Sequence, residues 1–212
     1  MAKYADMNRI GKLMLFALSV TVCQSAMAQF EAGINAGYSG QWILNTALNG
    51  NESIRPHNGY YAGLLGSYTF NNDMLVEAQI NFASKGHADM SMNDGHYRRD
   101  LYYLDVPVYV GYHLTRRISL MAGAQFGYLL ASKKNTEGVI EDGRDDCYPC
   151  CASIVGQFTY MFTDRLGLNA DFNYALTRTF SKPYRNNDGI LEEDKGHNIG
   201  FQIGICYKLE ID

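Results

Sequence analysis

From Leu104 to Tyr112 every second residue is apolar or aromatic (Leu104, Val106, Val108, Val110, Tyr112), and the residues between are Asp105, Pro107, Tyr109 and Gly111. A period of two belongs to a β-strand, whose side chains alternate between opposite faces. The same pattern recurs in seven other stretches: Phe30–Ser39, Tyr60–Phe70, Met74–Ser84, Ile118–Leu130, Ser153–Phe162, Leu166–Leu176 and Asn198–Leu209. In none of them does the apolar face carry a charge. The opposite face holds glycines, asparagines and glutamines together with Glu31, Glu77, Asp105, Asp171 and Lys208. That division decides which solvent the apolar face meets. A soluble eight-stranded barrel of lipocalin type turns its apolar face inward around a ligand and charges its outside. Here carboxylates and glycines share one face, which suits a narrow interior filled by polar side chains.

Strand length and loop rhythm agree with a lipid-facing exterior. A transmembrane strand needs roughly 9–11 residues, and each stretch is about that long. The connections alternate long and short. Gln41–His57, Lys85–Arg99, Ala131–Cys151 and Thr177–Gly196 are long and polar, whereas Asn71–Asp73, Leu114–Arg117 and Thr163–Arg165 are tight turns. Bacterial transmembrane barrels have this rhythm, with short turns on the periplasmic side and longer loops outside. Tyr38, Tyr60, Phe70, Phe82, Tyr102, Tyr112, Tyr128, Phe162, Tyr174 and Tyr207 fall near strand ends, as two interfacial girdles require. The fold class expected is all-β: an eight-stranded antiparallel up-and-down transmembrane β-barrel with both termini periplasmic.

The barrel begins after a leader. Lys3, Arg9 and Lys12 precede the apolar run Leu13–Cys23, and Ala26-Met27-Ala28 fits a small-x-small cleavage site. Residues 1–28 therefore read as a signal peptide and 29–212 as one barrel domain. The formal net charge of −4 leaves no basic footprint for nucleic acid.

The segment Tyr103-Leu104-Asp105-Val106-Pro107 resembles the Tyr-Leu-Glu-Ile-Pro strand of the small outer-membrane β-barrel proteins grouped with PorT of Gram-negative bacteria. Gly123-Ala124-Gln125-Phe126-Gly127-Tyr128, Tyr174-Ala175-Leu176 and a last strand of alternating glycines and aromatics extend the resemblance over most of residues 30–209. It implies the barrel fold and the outer membrane. By analogy with PorT it implies an accessory part in secretion. Gln202, Gly204, Tyr207 and Leu209 are similar to the C-terminal signal read by the barrel-assembly machinery, although Glu210-Ile211-Asp212 follow where a terminal aromatic is usual. Pro107 lacks an N–H in a sheet with no free edge, so a bulge or kink is expected there.

The candidate chemistry is sparse. Cys147-Tyr148-Pro149-Cys150-Cys151 lies on the third outer loop, where an oxidising envelope favours a small disulfide loop. Unpaired or intermolecular thiols, and a Cys-x-x-Cys metal or redox tip, are the alternative readings. Cys206 is placed as an isolated lumenal thiol. The lumenal cluster Glu31, Glu77, Asp105, Asp171 and Lys208 reads as a hydrogen-bonded plug with few inward cations, so that some acids are held protonated. Glu77→Gln is then expected to leave stability unchanged or raise it, as read by denaturant unfolding in detergent, and a large loss counts against the idea. Ser84, His87, Asp89, Ser91, His96 and Asp100 supply the residue types of a rim hydrolase without any spacing that fixes a triad. Asp142-Gly143-Arg144-Asp145-Asp146 and Glu192-Glu193-Asp194 are acidic loop clusters. No cofactor and no catalytic residue are expected. The expected role is non-enzymatic surface contact or structure. Expected partners are outer-membrane lipid and lipopolysaccharide, the barrel-assembly machinery during biogenesis, and an envelope or extracellular protein.

Overall fold

The computed structural model describes residues 30–44, 55–70, 73–90, 96–136, 138–179, 184–185, 191–192 and 197–209; the expected signal peptide lies outside them. Eight long strands build the wall: β1 (Phe30–Leu44), β2 (Arg55–Phe70), β3 (Met74–Met90), β4 (His96–Thr115), β5 (Ile118–Thr136), β7 (Cys150–Met161), β8 (Leu166–Arg178) and β11 (His197–Leu209). Between β5 and β7 lie the short strand β6 (Val139–Asp142) and a 3₁₀ turn at Arg144–Asp146. The two-residue strands β9 (Tyr184–Arg185) and β10 (Leu191–Glu192) pair with each other in the fourth outer connection.

Each long strand pairs antiparallel with its sequence neighbours among these eight, and β1 closes the sheet on β11. The register gives the barrel its shape. Following paired residues from Ala32 through Gly66, Ala78, Val108, Ala124, Ile154, Tyr174 and Ile199 leads back to Trp42, ten positions further along β1. With about 3.3 Å per residue and about 4.8 Å between strands, that stagger sets a tilt of about 40°. The periplasmic turns are stabilised locally. Thr115 Oγ1 accepts the N–H groups of Arg117 and Ile118 at 3.2 and 3.1 Å, and Thr163 Oγ1 accepts those of Arg165 and Leu166 at 3.3 and 2.9 Å.

Burial follows the alternation. Asn35, Ser39, Tyr61, Ser67, Glu77, Gln79, Asn81, Asp105, Tyr109, Gln125, Gln157 and Asn169 are buried in the interior, whereas Ile34, Leu64, Ile80, Val108, Phe126, Ile154, Phe172 and Ile205 are exposed. An exposed belt of this kind is the lipid-facing surface of a membrane barrel, and a lipocalin-like inward apolar face is excluded. Aromatic rings mark both borders. Tyr60, Phe82 and Tyr102 form a chain of ring contacts at 6.4 and 5.9 Å on the outer side, and Tyr68–Phe70 and Tyr160–Phe162 pair at 4.5 and 5.3 Å on the periplasmic side.

Two expectations change. The connection Lys85–Arg99 is mostly strand, because β3 runs to Met90 and β4 starts at His96. Above the membrane the outward face of a strand meets water instead of lipid, so apolar alternation is no longer required. The wall is therefore taller on one side. β3 and β5 continue eight residues past Phe82 and Tyr128, whereas β8 ends four residues past Tyr174. Eight residues at about 3.3 Å, tilted by about 40°, raise that side roughly 20 Å above the girdle. The second change concerns Pro107. No bulge forms there: Ala78 pairs with Val108 and Asn81 with Asp105 in one unbroken register, and the ladder simply omits the positions between. Shifts occur instead at Tyr102/Tyr103 and His113/Thr115.

Candidate functional site

The lumen is built in layers. In the outer layer Lys85, on the upper part of β3, sets its Nζ 2.7 Å from Asp105 Oδ2 on β4, with both side chains 2% exposed. The same ammonium lies over the Tyr103 ring at 5.0 Å. Gly127 on β5 makes room for this arrangement, since a Cβ there would meet Cys151 Sγ and Asp105 Oδ1. Below it, Tyr109 Oη donates to Asp171 Oδ1 at 3.0 Å, and Asn169 Nδ2 donates to both Asp171 Oδ2 at 3.0 Å and Tyr61 Oη at 2.8 Å. A third layer runs along β3: Asn35 and Asn81 each donate to Gln79 Oε1 at 2.8 Å, and Gln79 Nε2 donates to Glu77 Oε1 at 2.6 Å. At the periplasmic end Lys208 pairs with Glu31, and Ser67 Oγ donates to Glu31 Oε2 at 3.3 Å.

The lumenal residues singled out from the sequence therefore all face inward, and two of the four acids carry cationic partners. The expectation of few inward cations leaves out Lys85, which the polarity pattern places in a loop. Its signal was the parity of β3, because Lys85 lies an even number of residues from Glu77 and Gln79. An acid on this face also calls for a counter-charge when it is buried.

The outer rim folds inward over the lumen. Arg99 Nη2 lies 3.0 Å from Asp146 Oδ2 and thereby ties the 3₁₀ turn to β4. Arg99 Nη1 donates to Cys147 Sγ at 3.7 Å. Cys147 and Cys151 are buried in one cluster with Leu101, Tyr103 and Leu129, while Cys150 is exposed. The thiols are free, and burial pushes that of Cys147 above its ordinary range. Cys206 is buried beside Leu65 and Met161. Among the described residues no three His, Cys, Asp or Glu side chains converge to hold a metal ion. Of the rim residues weighed as a hydrolase, Ser84 and Asp100 are placed on β3 and β4, and His57 Nε2 approaches Asp100 Oδ1 at 3.5 Å. Ser91 and the side chains of His87, Asp89 and His96 lie outside the described residues, as do Glu193 and Asp194 of the second acidic cluster.

Similar proteins share this architecture. Neisserial surface protein A superposes with a TM-score of 0.53 at 9% identity, covering 85% of this chain and 97% of that one. Ail, the attachment invasion locus protein of Yersinia pestis, solved with the heparin analogue sucrose octasulfate, gives 0.48 at 16% identity, covering 85% and 99%. OprG from Pseudomonas aeruginosa gives 0.40 at 15% identity, covering 86% and 95%. No curated protein matches the sequence. The model of the outer membrane protein beta-barrel domain matches residues 23–181. With its closed eight-stranded wall, lipid-facing belt and polar lumen, this chain belongs to the outer membrane protein beta-barrel domain family and is an integral protein of the outer membrane.

Proposed function

We propose that the protein is a non-enzymatic surface barrel whose tall outer wall makes contact with a protein of the envelope or of the outside. The observation that carries this reading is the β5–β6 hairpin. Gly138, at φ +88°, turns the chain, with its N–H bonded to Asn135 Oδ1 at 3.0 Å, and Ile140 beyond it is 67% exposed. Val139, Ile140 and Tyr148 place exposed apolar surface above the membrane, where lipid cannot cover it. The rim groups Arg99 and Asp146 are engaged in holding this platform, which favours contact over chemistry. A photo-crosslinking amino acid at Ile140 in whole cells is expected to give a protein adduct that the same probe at lipid-facing Phe126 does not. Identical patterns from the two sites would defeat the reading.

Other contacts follow from the same placement. Lys133 lies over the outward-facing Tyr102 ring at 5.8 Å, and Arg178 is exposed beside His197 across the β8–β11 pair. These groups stand at the level where lipopolysaccharide carries its phosphates. The last strand supplies the assembly signal. In the oxidising envelope the pair expected to close is Cys147–Cys151, because both occupy one buried cluster whereas Cys150 points to water. Mass spectrometry of the unreduced protein after alkylation should find Cys150 modified and the other two linked. Alkylation of all three would reject the bond.

A further inference from the structure

A cavity of about 260 Å³ opens at the periplasmic end of the lumen. Its lining separates into three chemistries. The deep end holds Glu77, Gln157 and Asn169, all buried, and among the described residues Gln157 Oε1 and Asn169 Oδ1 have no hydrogen-bond partner. Together with the Glu77 carboxylate they form a floor rich in acceptors. Leu65, Leu75, Met121 and Met161 give the walls an apolar band. At the mouth stand Arg116 and Arg117 of the β4–β5 turn, and among the described residues neither guanidinium has an ion-pair partner. The carboxylate of Asp164 on the β7–β8 turn, Glu31, Lys208 and His113 are the other charged or titratable groups lining this end. Lys208 is paired with Glu31, and His113 Nδ1 lies 2.8 Å from Ser119 Oγ.

We propose that this cavity binds a small extended zwitterion, an ω-amino acid or a dipeptide, with its ammonium on the Glu77, Gln157 and Asn169 floor and its carboxylate at Arg116 and Arg117. An ammonium supplies the donors that unpartnered buried acceptors require. Arginine holds a carboxylate through paired N–H groups. The register sets the ligand's length. Glu77 pairs with Tyr109, seven residues before Arg116, which corresponds to about 18 Å of barrel height at about 3.3 Å per residue and about 40° of tilt. The glutamate and arginine side chains reach across much of that height. The gap left suits charges several ångströms apart joined by an apolar chain, and the leucine and methionine band lies between them. A simple cation or anion would satisfy one end only.

The test uses the barrel purified from outer membranes in detergent, titrated calorimetrically with 6-aminohexanoate, pentylamine and hexanoate against empty micelles. The expected result is saturable one-to-one binding of 6-aminohexanoate, at least tenfold tighter than either singly charged analogue. Glu77→Gln should weaken it at least tenfold. The double variant Arg116→Gln/Arg117→Gln should remove its advantage over pentylamine. A heat-modifiable band on a denaturing gel shows that each variant is folded, and the arginine pair, on an exposed turn, carries the test by itself if Glu77→Gln does not fold. Absence of saturable binding, equal affinity for the three compounds, or indifference to the arginine variant would each overturn the proposal and leave a cavity filled by water.

Discussion

Lys85→Met is expected to destabilise the barrel by about 3–5 kcal/mol, the usual cost of removing one partner from a buried ion pair. The reasoning starts from burial. Lys85 and Asp105 are each 2% exposed and 2.7 Å apart. With the ammonium gone, Asp105 keeps its charge at the dry outer end of the lumen, or takes up a proton at a cost that folding must meet. The size of the loss reports mainly on the abandoned carboxylate, so a second substitution separates it from lost packing. Lys85→Met/Asp105→Leu should recover most of the stability, because an apolar pair of similar volume carries no uncompensated charge. Guanidinium unfolding in detergent, followed by tryptophan fluorescence or gel mobility, reads both variants. A single variant within 1 kcal/mol of the native protein would show that water reaches Asp105 and that the layer is not closed.

Leu64→Arg is the second large effect. Leu64 is 62% exposed on β2, between Tyr60 and Phe70, and it pairs with Ile34 and Ile80 on either side. In a water-soluble protein so exposed a leucine could become arginine at almost no cost. At the midplane of a bilayer the same change costs about 2–4 kcal/mol. The expected outcome is that loss on unfolding from lipid vesicles, together with reduced recovery in the outer-membrane fraction. A neutral result would place Leu64 in water and contradict the lipid-facing belt.

The contrast between these two sites explains how far the sequence could be read. Leu64, Ile80 and Phe126 stood out because lipid and lumen make opposite demands on alternate residues, so apolar and polar positions separate without reference to coordinates. Glu77, Asp105 and Asp171 were legible as lumenal for the same reason. Lys85 shares their parity, but the strand rises there out of the membrane and polar residues on both faces mask that signal. The same mixed polarity makes His96 to Arg99 read as loop, which hides the tall wall. Pro107 misled in the other direction. A missing N–H forces a bulge only where the register must change, and here a gap of the ladder between Ala78–Val108 and Asn81–Asp105 absorbs it. The cavity could not be foreseen at all. It depends on Gln157 of β7, Asn169 of β8 and Arg117 of the β4–β5 turn meeting across the barrel, and no local pattern encodes that meeting.

The unequal height of the wall bears on what can reach this protein on a living cell. Where the wall strands β8 and β11 end close to the girdle, the ends of those two strands lie within the depth of the saccharide coat of the outer leaflet, which screens them from large molecules. Where β3, β4 and β5 rise roughly 20 Å above the girdle, about 10 Å higher than that side, the same coat is partly pierced. Antibodies raised against intact cells should accordingly recognise the β5–β6 hairpin first. Epitopes beside Arg178 should become available only in strains whose lipopolysaccharide has been shortened.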